Sequence, residues 1–176
     1  MLLRIVVFRA IDGCGKVLEF YNGSGLFRLD LQTGELSDMV PDEKLATYAF
    51  SISPQDTKLI YAKEGTKLLT IKLKNVFSGQ EKSITLDEKY DGAGNFAWFP
   101  NEDKVLFVAT ENVCEDNQIY SILTLDLSTL EVKTVIDLLD RNLSAIEWEA
   151  PDILRMSDWH GNTWILDIKL SQLILF

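Results

Sequence analysis

Short apolar segments alternate with polar turns along the chain, and the alternation repeats with a fixed step. The segment FSISPQDTKLIYAKEG at residues 50–65 and the segment FAWFPNEDKVLFVATE at residues 96–111 share a strand, a proline-led turn and a second strand. Phe50 and Phe96 are 46 residues apart, and the proline and the lysine of each turn repeat the same step. The agreement of three anchors indicates an internal repeat.

Two further copies extend the repeat to both ends of the chain. A third copy occupies residues 146–161, and a weaker one occupies residues 6–25, where Asp12-Gly13 replaces proline as the turn former. Each unit continues with a third strand, a polar hairpin and a short fourth strand. The hairpin segments LDLQTGEL at residues 29–36 and LDLSTLEV at residues 125–132 correspond closely. The pattern predicts four units of four strands each.

The predicted strands are joined by hairpins throughout. Gly34 and Gly79 fall where a tight hairpin requires a positive φ angle. The segment with the most helical pattern, VIDLLDRNLSAIEW at residues 135–148, is described at least as well by a strand, a loop and a strand. The predicted unit boundaries are 1–44, 45–90, 91–141 and 142–176.

The second strands carry unbroken apolar runs, such as the five residues from Val105 to Ala109. An antiparallel strand with one solvated face would alternate, so a continuous run means that both faces of its sheet are covered. Small four-stranded sheets that repeat at a period in the forties, each packed between two neighbours, describe a β-propeller. We therefore predict one all-β domain over residues 1–176, with four antiparallel blades.

The turn motifs also suggest a family. Ser53-Pro54-Gln55-Asp56, Phe99-Pro100-Asn101-Glu102 and the hinge from Ser157 to Asn162 resemble the WD40-like repeat of TolB-type propellers, which are related to the propeller domains of prolyl oligopeptidases. The resemblance covers residues 45–170 well and the first forty residues poorly. It departs from the family in two ways. No unit keeps the full Ser-Pro-Asp-Gly turn, and four blades are fewer than the six or more of such proteins.

The low blade count leaves three arrangements open: a complete small propeller, half of a ring that a second copy completes, or a segment of a longer protein. Four is the low end of the known range of blade number. The terminal segment SQLILF at residues 171–176 is apolar, and as an outer strand it would leave an edge ready for pairing. A homodimer that completes the ring is one expectation.

The net charge of −10 is spread along the sequence and narrows the choice of partners. An acidic surface disfavours nucleic acids and anionic membranes, and it attracts basic proteins or cations. The composition, with 47% hydrophobic residues and few Gly and Pro, predicts a folded chain. We expect a protein partner and no nucleic-acid or membrane partner.

The cysteines and the N-terminus contribute little chemistry. Cys14 and Cys114 are 100 residues apart with no histidine nearby, so their spacing predicts neither a zinc site nor a redox pair, and two free thiols are favoured over a disulfide. The opening segment MLLRIVVFRA is too short for a signal-peptide core. If Met1 is the natural start, a cytoplasmic location is expected.

The candidate binding residues come from the predicted loops. Connectors between blades share a propeller face with the hinges between second and third strands, and we expect a mixed aromatic and charged rim there. Solvated loops without a ligand are the alternative. The expected binding face comprises Tyr90, Asp91, Glu111, Arg141, Asp158, Trp159 and His160. The resemblance implies that Asp158 caps its turn, that Gly161 supplies a positive φ angle, and that His160 faces solvent.

No segment specifies a reaction. The acidic loop at residues 111–118 has oxygen ligands but lacks the spacing and the glycine of a calcium loop, so a solvated hairpin is favoured. Glu147 and Glu149 flank Trp148 on a predicted strand, where alternate residues share a face, so the two carboxylates could act as a glycosidase-type acid and base. Alternating Glu residues are also common on a solvated strand face, which is the alternative. We expect a non-enzymatic protein-binding or scaffold module without cofactor, metal or catalytic residues. The alternative is a small hydrolase or lyase with carboxylate chemistry at the central face.

Overall fold

The computed structural model describes residues 6–10, 17–21, 25–41, 49–63, 68–113, 115–139, 143–158, 160–169 and 172–175. The predicted turn at Asp12-Gly13 lies outside the described residues.

Sixteen strands form four consecutive groups of four. The strands of blade 1 are β1 (Val6–Ala10), β2 (Val17–Tyr21), β3 (Leu26–Asp30) and β4 (Leu36–Asp38). Those of blade 2 are β5 (Phe50–Ile52), β6 (Lys58–Lys63), β7 (Thr70–Asn75) and β8 (Glu81–Thr85). Those of blade 3 are β9 (Gly92–Trp98), β10 (Lys104–Glu111), β11 (Ile119–Asp126) and β12 (Val132–Leu139). Those of blade 4 are β13 (Leu143–Ala150), β14 (Ile153–Asp158), β15 (Thr163–Asp167) and β16 (Gln172–Leu175).

Each blade is an antiparallel meander in which every strand pairs with the next strand in the chain. The expected all-β fold with four-stranded blades is confirmed, and the described residues contain no helix. Within residues 135–148, the described residues belong to the second half of β12 and most of β13, which agrees with the predicted strands, and residues 140–142 lie outside the described residues. No helix capable of crossing a membrane occurs within the described ranges.

Three apolar clusters join neighbouring blades face to face. The first includes Leu26 from blade 1 with Leu59 and Tyr61 from blade 2. The second joins blades 2 and 3, and the third joins blades 3 and 4. The second and third strands alternate between the two neighbours: Phe107 packs toward blade 2, whereas Leu106 packs toward blade 4. This double coverage explains the unbroken apolar run in β10.

The meander places the loops at two opposite ends of the blades. The hairpins between second and third strands and the connectors between blades lie at one end, the connector face. The turns between first and second strands and the hairpins between third and fourth strands, here called outer hairpins, lie at the other end, the turn face. The connector and hairpin residues of the expected binding face therefore belong to one end of the molecule.

Polar side chains also link the blades, and each link spans close to one repeat. The Trp98 indole donates to the Ser51 hydroxyl at 3.1 Å, and the Asn95 amide donates to the Leu143 carbonyl at 2.8 Å. The buried Glu102 carboxylate accepts from the Gln55 N–H at 2.6 Å and from the Lys58 ammonium at 3.1 Å. These bonds fix the relative position of consecutive inner strands and turns.

The three described outer hairpins share one backbone conformation and one pattern of hydrogen bonds. Asp30, Asn75 and Asp126 accept hydrogen bonds from the N–H groups two and three residues later, which closes an Asx turn. A residue with positive φ follows four positions after each: Gly34 (74°), Gly79 (70°) and Leu130 (60°). The positive φ angles predicted for the two glycines are confirmed.

The turns between first and second strands of blades 2 and 3 depart from the family motif in sequence but keep its conformation. Asp56 has φ 55° and Glu102 has φ 54°. They stand where the Ser-Pro-Asp-Gly turn has glycine, which tolerates this left-handed region without steric cost. The turn is therefore retained at the expense of backbone strain at two non-glycine residues.

Candidate binding face

The connector between blades 2 and 3 is tied to the hairpin between β10 and β11 by Asp91. Its carboxylate accepts from the Val113 N–H, with both oxygens at 3.2 Å, and its own N–H donates to the Thr110 carbonyl at 3.0 Å. Gly92 follows directly, and a Cβ there would lie 2.6 Å from a methyl group of Val113. The hydrogen bonds of Asp91 hold the connector against the hairpin, and the close approach of Val113 leaves no room for a side chain at Gly92.

Lys89 is the centre of a charged cluster on the same connector. Its ammonium lies 3.2 Å from Glu111 Oε1 and 3.5 Å from Asp137 Oδ1, and it lies 4.7 Å from the centroid of the Tyr90 ring. The buried Ser121 hydroxyl donates to Asp137 at 2.5 Å. The close approach of Tyr90 raises the pKa of Lys89 above its usual value despite some desolvation, and the nearby carboxylates of Glu111 and Asp137 act in the same direction. Lys89 therefore stays charged.

Tyr90 is buried, with 5% of its surface exposed, and its ring belongs to the core between blades 2 and 3. Its hydroxyl and Glu111 Oε1 are both buried and complete no hydrogen bond in the described part of the chain. The Lys89 ammonium lies within ion-pair distance of Glu111 but outside hydrogen-bond geometry. Two buried oxygen atoms with unused bonding capacity thus lie beside one cation.

In blade 4, Asp158 organises the hinge between β14 and β15. Its Oδ1 accepts from the His160 N–H at 2.8 Å and from the Asn162 N–H at 2.9 Å, and Gly161 has φ 83°. Desolvation raises the pKa of the Asp158 carboxyl, but the hydrogen bonds from Asn162 and His160 outweigh it and hold the pKa below its usual value. His160 is exposed. The capping role of Asp158, the φ of Gly161 and the exposure of His160 are as the resemblance implied.

The structure brings together only part of the expected face. Tyr90, Asp91 and Glu111 meet around Lys89, whereas Asp158 and His160 belong to the separate hinge of blade 4 at the same end. Arg141, Trp159 and the two cysteines lie outside the described residues. Sequence reasoning missed Lys89, Ser121 and Asp137, because their contacts join strands and loops that are far apart in sequence.

The carboxylate pair of blade 4 is not arranged around the cluster. Ile146 and Trp148 pack toward blade 3, so Glu147 and Glu149, which alternate with them on β13, lie on the opposite face of the sheet. Glu149 pairs with Arg155 of the neighbouring strand. Residues 111–118 connect β10 to β11, as expected for a hairpin. No three His, Cys, Asp or Glu side chains of the described ranges come together as metal ligands.

Four consecutive antiparallel meanders, packed face to face with the first strand β9 in contact with the first strands β5 and β13, define a β-propeller. The fold is that of TolB-type propellers, as solved structures of low sequence identity show. An oligogalacturonate lyase from Vibrio parahaemolyticus matches with a TM-score of 0.75 and 15% identity, over 99% of this chain and 54% of that chain. TolB from Acinetobacter baumannii matches with a TM-score of 0.64 and 16% identity, over 94% of this chain and 43% of that chain.

A propeller-containing peptidase is also similar. Dipeptidyl peptidase 4 from Porphyromonas gingivalis matches with a TM-score of 0.59 and 11% identity, over 98% of this chain and 30% of that chain. This chain spans about half the length of the lyase. No protein-family model and no curated protein matches the sequence. At these identities the likeness establishes the fold alone.

Proposed function

We propose that this chain is a non-enzymatic β-propeller that binds protein partners through its connector face. The observation that carries the proposal is the use of the acidic side chains there. Asp91 and Asp158 hold loops through backbone N–H groups, and Glu111 and Asp137 pair with Lys89. Each of these carboxylates therefore holds a loop or a neighbouring side chain in place. Loops held in place on a rigid scaffold are suited to the recognition of a partner.

The charge of the chain favours a basic partner. The net charge of −10 raises the encounter rate with positively charged proteins and repels nucleic acids and anionic lipids. The exposed residues of the face include Glu88, Glu115 and Asp116, which are available to a cationic partner. Binding should therefore weaken as ionic strength rises.

Site-specific photo-cross-linking tests this proposal. A photoreactive residue at Asp116 or His160 reports on the connector face, and one at Lys133, on the outer strand β12, is the matched control. Capture of one stoichiometric protein from positions 116 and 160, but not from 133, is expected. Equal capture from all three positions, or none from 116 and 160, would contradict the proposal. This test is preferable to alanine at Asp91 or Asp158, because those carboxylates hold the loops in place.

A second candidate function is carboxylate-based hydrolysis or elimination, and the buried oxygens beside Lys89 favour it. The Tyr90 hydroxyl and Glu111 Oε1 complete no hydrogen bond among the described residues, and Lys89 and Tyr90 line a cavity of about 260 Å³. The lyase similar in fold carries oligogalacturonate in its name. Turnover of oligogalacturonate that Glu111→Gln abolishes and Glu88→Gln preserves would establish this function. Absence of turnover in the unaltered protein would exclude it for this substrate.

We also propose that a second copy completes the ring. The three apolar clusters join blades 1 to 2, 2 to 3 and 3 to 4, and within the described residues none joins blade 4 to blade 1. The chain matches about half of the lyase structure. Sedimentation equilibrium should give twice the 20.0 kDa monomer mass. A monomer at concentrations well above those in the cell would refute the homodimer and leave the binding proposal intact.

A further inference from the structure

A lysine, a buried tyrosine and a glutamate meet within blade 2 and complete their hydrogen bonds there. The Tyr61 hydroxyl donates to Glu81 Oε2 at 2.5 Å, and the Lys72 ammonium donates to Glu81 Oε1 at 2.7 Å. Tyr61 is buried. Both carboxylate oxygens therefore have a partner inside the protein, and the buried hydroxyl uses its proton.

The same three residue types meet at the connector between blades 2 and 3, but their hydrogen bonds are incomplete. Tyr90 is 5% exposed, and neither its hydroxyl nor the buried Glu111 Oε1 forms a hydrogen bond with the described residues. The Lys89 ammonium lies 3.2 Å from Glu111 Oε1 without hydrogen-bond geometry. Nearly all buried polar atoms of native proteins have a partner. We therefore expect a hydrogen-bonding group from outside the chain at this place.

A cavity between blades 2 and 3 is lined by two members of this set, Lys89 and Tyr90. Its volume of about 260 Å³ is below the range of about 300–1,000 Å³ that is usual for small-molecule pockets, so it suits a single side chain. The remaining lining residues are Thr85 and Leu86 at the end of β8, Asp87 of the connector, Leu123 of β11, and Val132 and Thr134 of β12. Three of these six are aliphatic, as a partly apolar occupant requires.

The geometry of the connector keeps the incomplete set in place. The Asp87 carboxylate accepts from the Lys89 N–H at 3.1 Å, and the Asp87 carbonyl accepts from the Tyr90 N–H at 3.1 Å. The Tyr90 ring packs in the core between the two blades. The hydroxyl is therefore held at a fixed position, whereas the Lys89 side chain is 39% exposed and can turn toward solvent.

The chemistry of an arginine side chain matches these features. Its guanidinium carries five N–H donors in a planar fork, so one group can donate both to a hydroxyl oxygen and to a carboxylate oxygen. An ammonium is a point charge, and the one already present leaves both oxygens without a hydrogen bond. The three methylene groups of arginine can pack on aliphatic side chains such as Leu123 and Val132.

We propose that this cavity accepts an arginine side chain of a basic partner protein, and that the Lys89 ammonium stands in for the guanidinium when no partner is bound. On binding, Lys89 turns toward the Asp137 carboxylate, which is 43% exposed. The guanidinium then donates to the Tyr90 hydroxyl and to Glu111 Oε1. The inference rests on the proposed binding of a basic protein at the connector face, and it specifies the residue that is recognised there.

Titration of the full ¹⁵N-labelled chain with the tripeptide acetyl-Gly-Arg-Gly-amide, followed by NMR, tests the proposal. The same tripeptide with lysine, or with the neutral isostere citrulline, is the ligand control. Lys89→Gln removes the internal cation, Glu111→Gln removes the carboxylate charge, and Tyr90→Phe removes only the hydroxyl. Glu81→Gln, in the complete set of blade 2, is the matched control variant. Circular dichroism and urea denaturation establish that each variant is folded.

We expect the arginine peptide to shift the amide signals of Tyr90, Asp91 and Val113, with weaker binding of the lysine peptide and none of the citrulline peptide. Affinity should fall about tenfold in Glu111→Gln, because a hydrogen bond to a charged group is lost, and several-fold in Tyr90→Phe. It should be unchanged in Glu81→Gln. In Lys89→Gln it should rise several-fold, because the competing cation is absent. A gain of affinity cannot result from misfolding.

Four outcomes would overturn the proposal. The first is the absence of shifts with the arginine peptide, which would leave water as the occupant. The second is equal binding of the arginine and citrulline peptides. The third is an affinity that stays the same in Glu111→Gln or falls in Lys89→Gln. The fourth is a set of shifts confined to the exposed Glu115 and Asp116. If cross-linking at positions 116 and 160 still captures a basic protein, the proposed function stands while the arginine site is refuted.

Discussion

Glu102 is the residue whose replacement tests most directly how the blades are held together. It is 5% exposed, and its carboxylate joins the turn of blade 3 to the turn of blade 2 through the Gln55 N–H and the Lys58 ammonium. Glu102→Ala leaves the Gln55 N–H without its acceptor, which costs about 1.5–3 kcal/mol for a bond to a charged group. The ion pair adds at most about 1 kcal/mol, because the Lys58 side chain is 34% exposed.

The backbone conformation of Glu102 makes a second contribution to the free energy of unfolding, which can be measured separately. With φ at 54°, an alanine keeps the left-handed strain of roughly 1 kcal/mol, whereas a glycine relieves it. Urea denaturation should therefore show Glu102→Ala less stable than the unaltered chain by about 2–4 kcal/mol, with Glu102→Gly about 1 kcal/mol more stable than Glu102→Ala. Asp56→Gly, at the equivalent turn, is the control, and it should be neutral or slightly stabilising. If Glu102→Gly matched the unaltered chain in stability, the bridging role would be refuted.

Three further predictions concern the repeated hairpins and links. Gly79→Ala should lower the free energy of unfolding by about 1–2 kcal/mol through φ strain alone, since an added Cβ has no neighbour within 4 Å, and Gly79→Asn should cost less; equal effects in urea denaturation would contradict this. Trp98→Phe removes the indole bond to Ser51 and should cost about 1 kcal/mol by the same measurement, whereas no loss would deny the bond a role. Hydrogen bonds from the Ser128 hydroxyl and then from backbone N–H groups lower the pKa of Asp126 from 3.8 to about 2, so its contribution to stability is complete above pH 3.8 and is lost as the pH falls toward 2. Acid titration of Asp126→Asn should lack this component, and an unchanged profile would refute it.

The repeat made most of the fold predictable from one sequence. The step from Phe50 to Phe96 located equivalent strands, and the unbroken apolar run of β10 showed that its sheet is covered on both faces. The conformation of the hinge in blade 4 was also predictable, because Asp158 accepts the backbone N–H bonds and Gly161 adopts the positive φ angle that their residue types favour.

Other features depend on contacts that no local pattern records. Lys89 meets Asp137 across 48 residues, and the Glu102 carboxylate reaches a turn 47 residues earlier. The left-handed conformation of Glu102 and Leu130 could not be read from residue type, because both side chains disfavour it and tertiary structure imposes it. The exposure of Phe77, in the hairpin between β7 and β8, could not be predicted either, because a large aromatic residue is more often buried.

The apolar clusters between the blades determine the order in which the blades unfold. Blades 2 and 3 are each covered by two neighbours, whereas within the described chain the clusters give blades 1 and 4 one neighbour apiece. In a single copy of the chain this array is linear, so its stability is the sum of the repeats and their shared boundaries, and the outermost blades detach first unless a second copy covers them. Amide protons of β10 and β11 should exchange with solvent only on global unfolding. Those of β3 and β15 should exchange earlier through partial opening from either end.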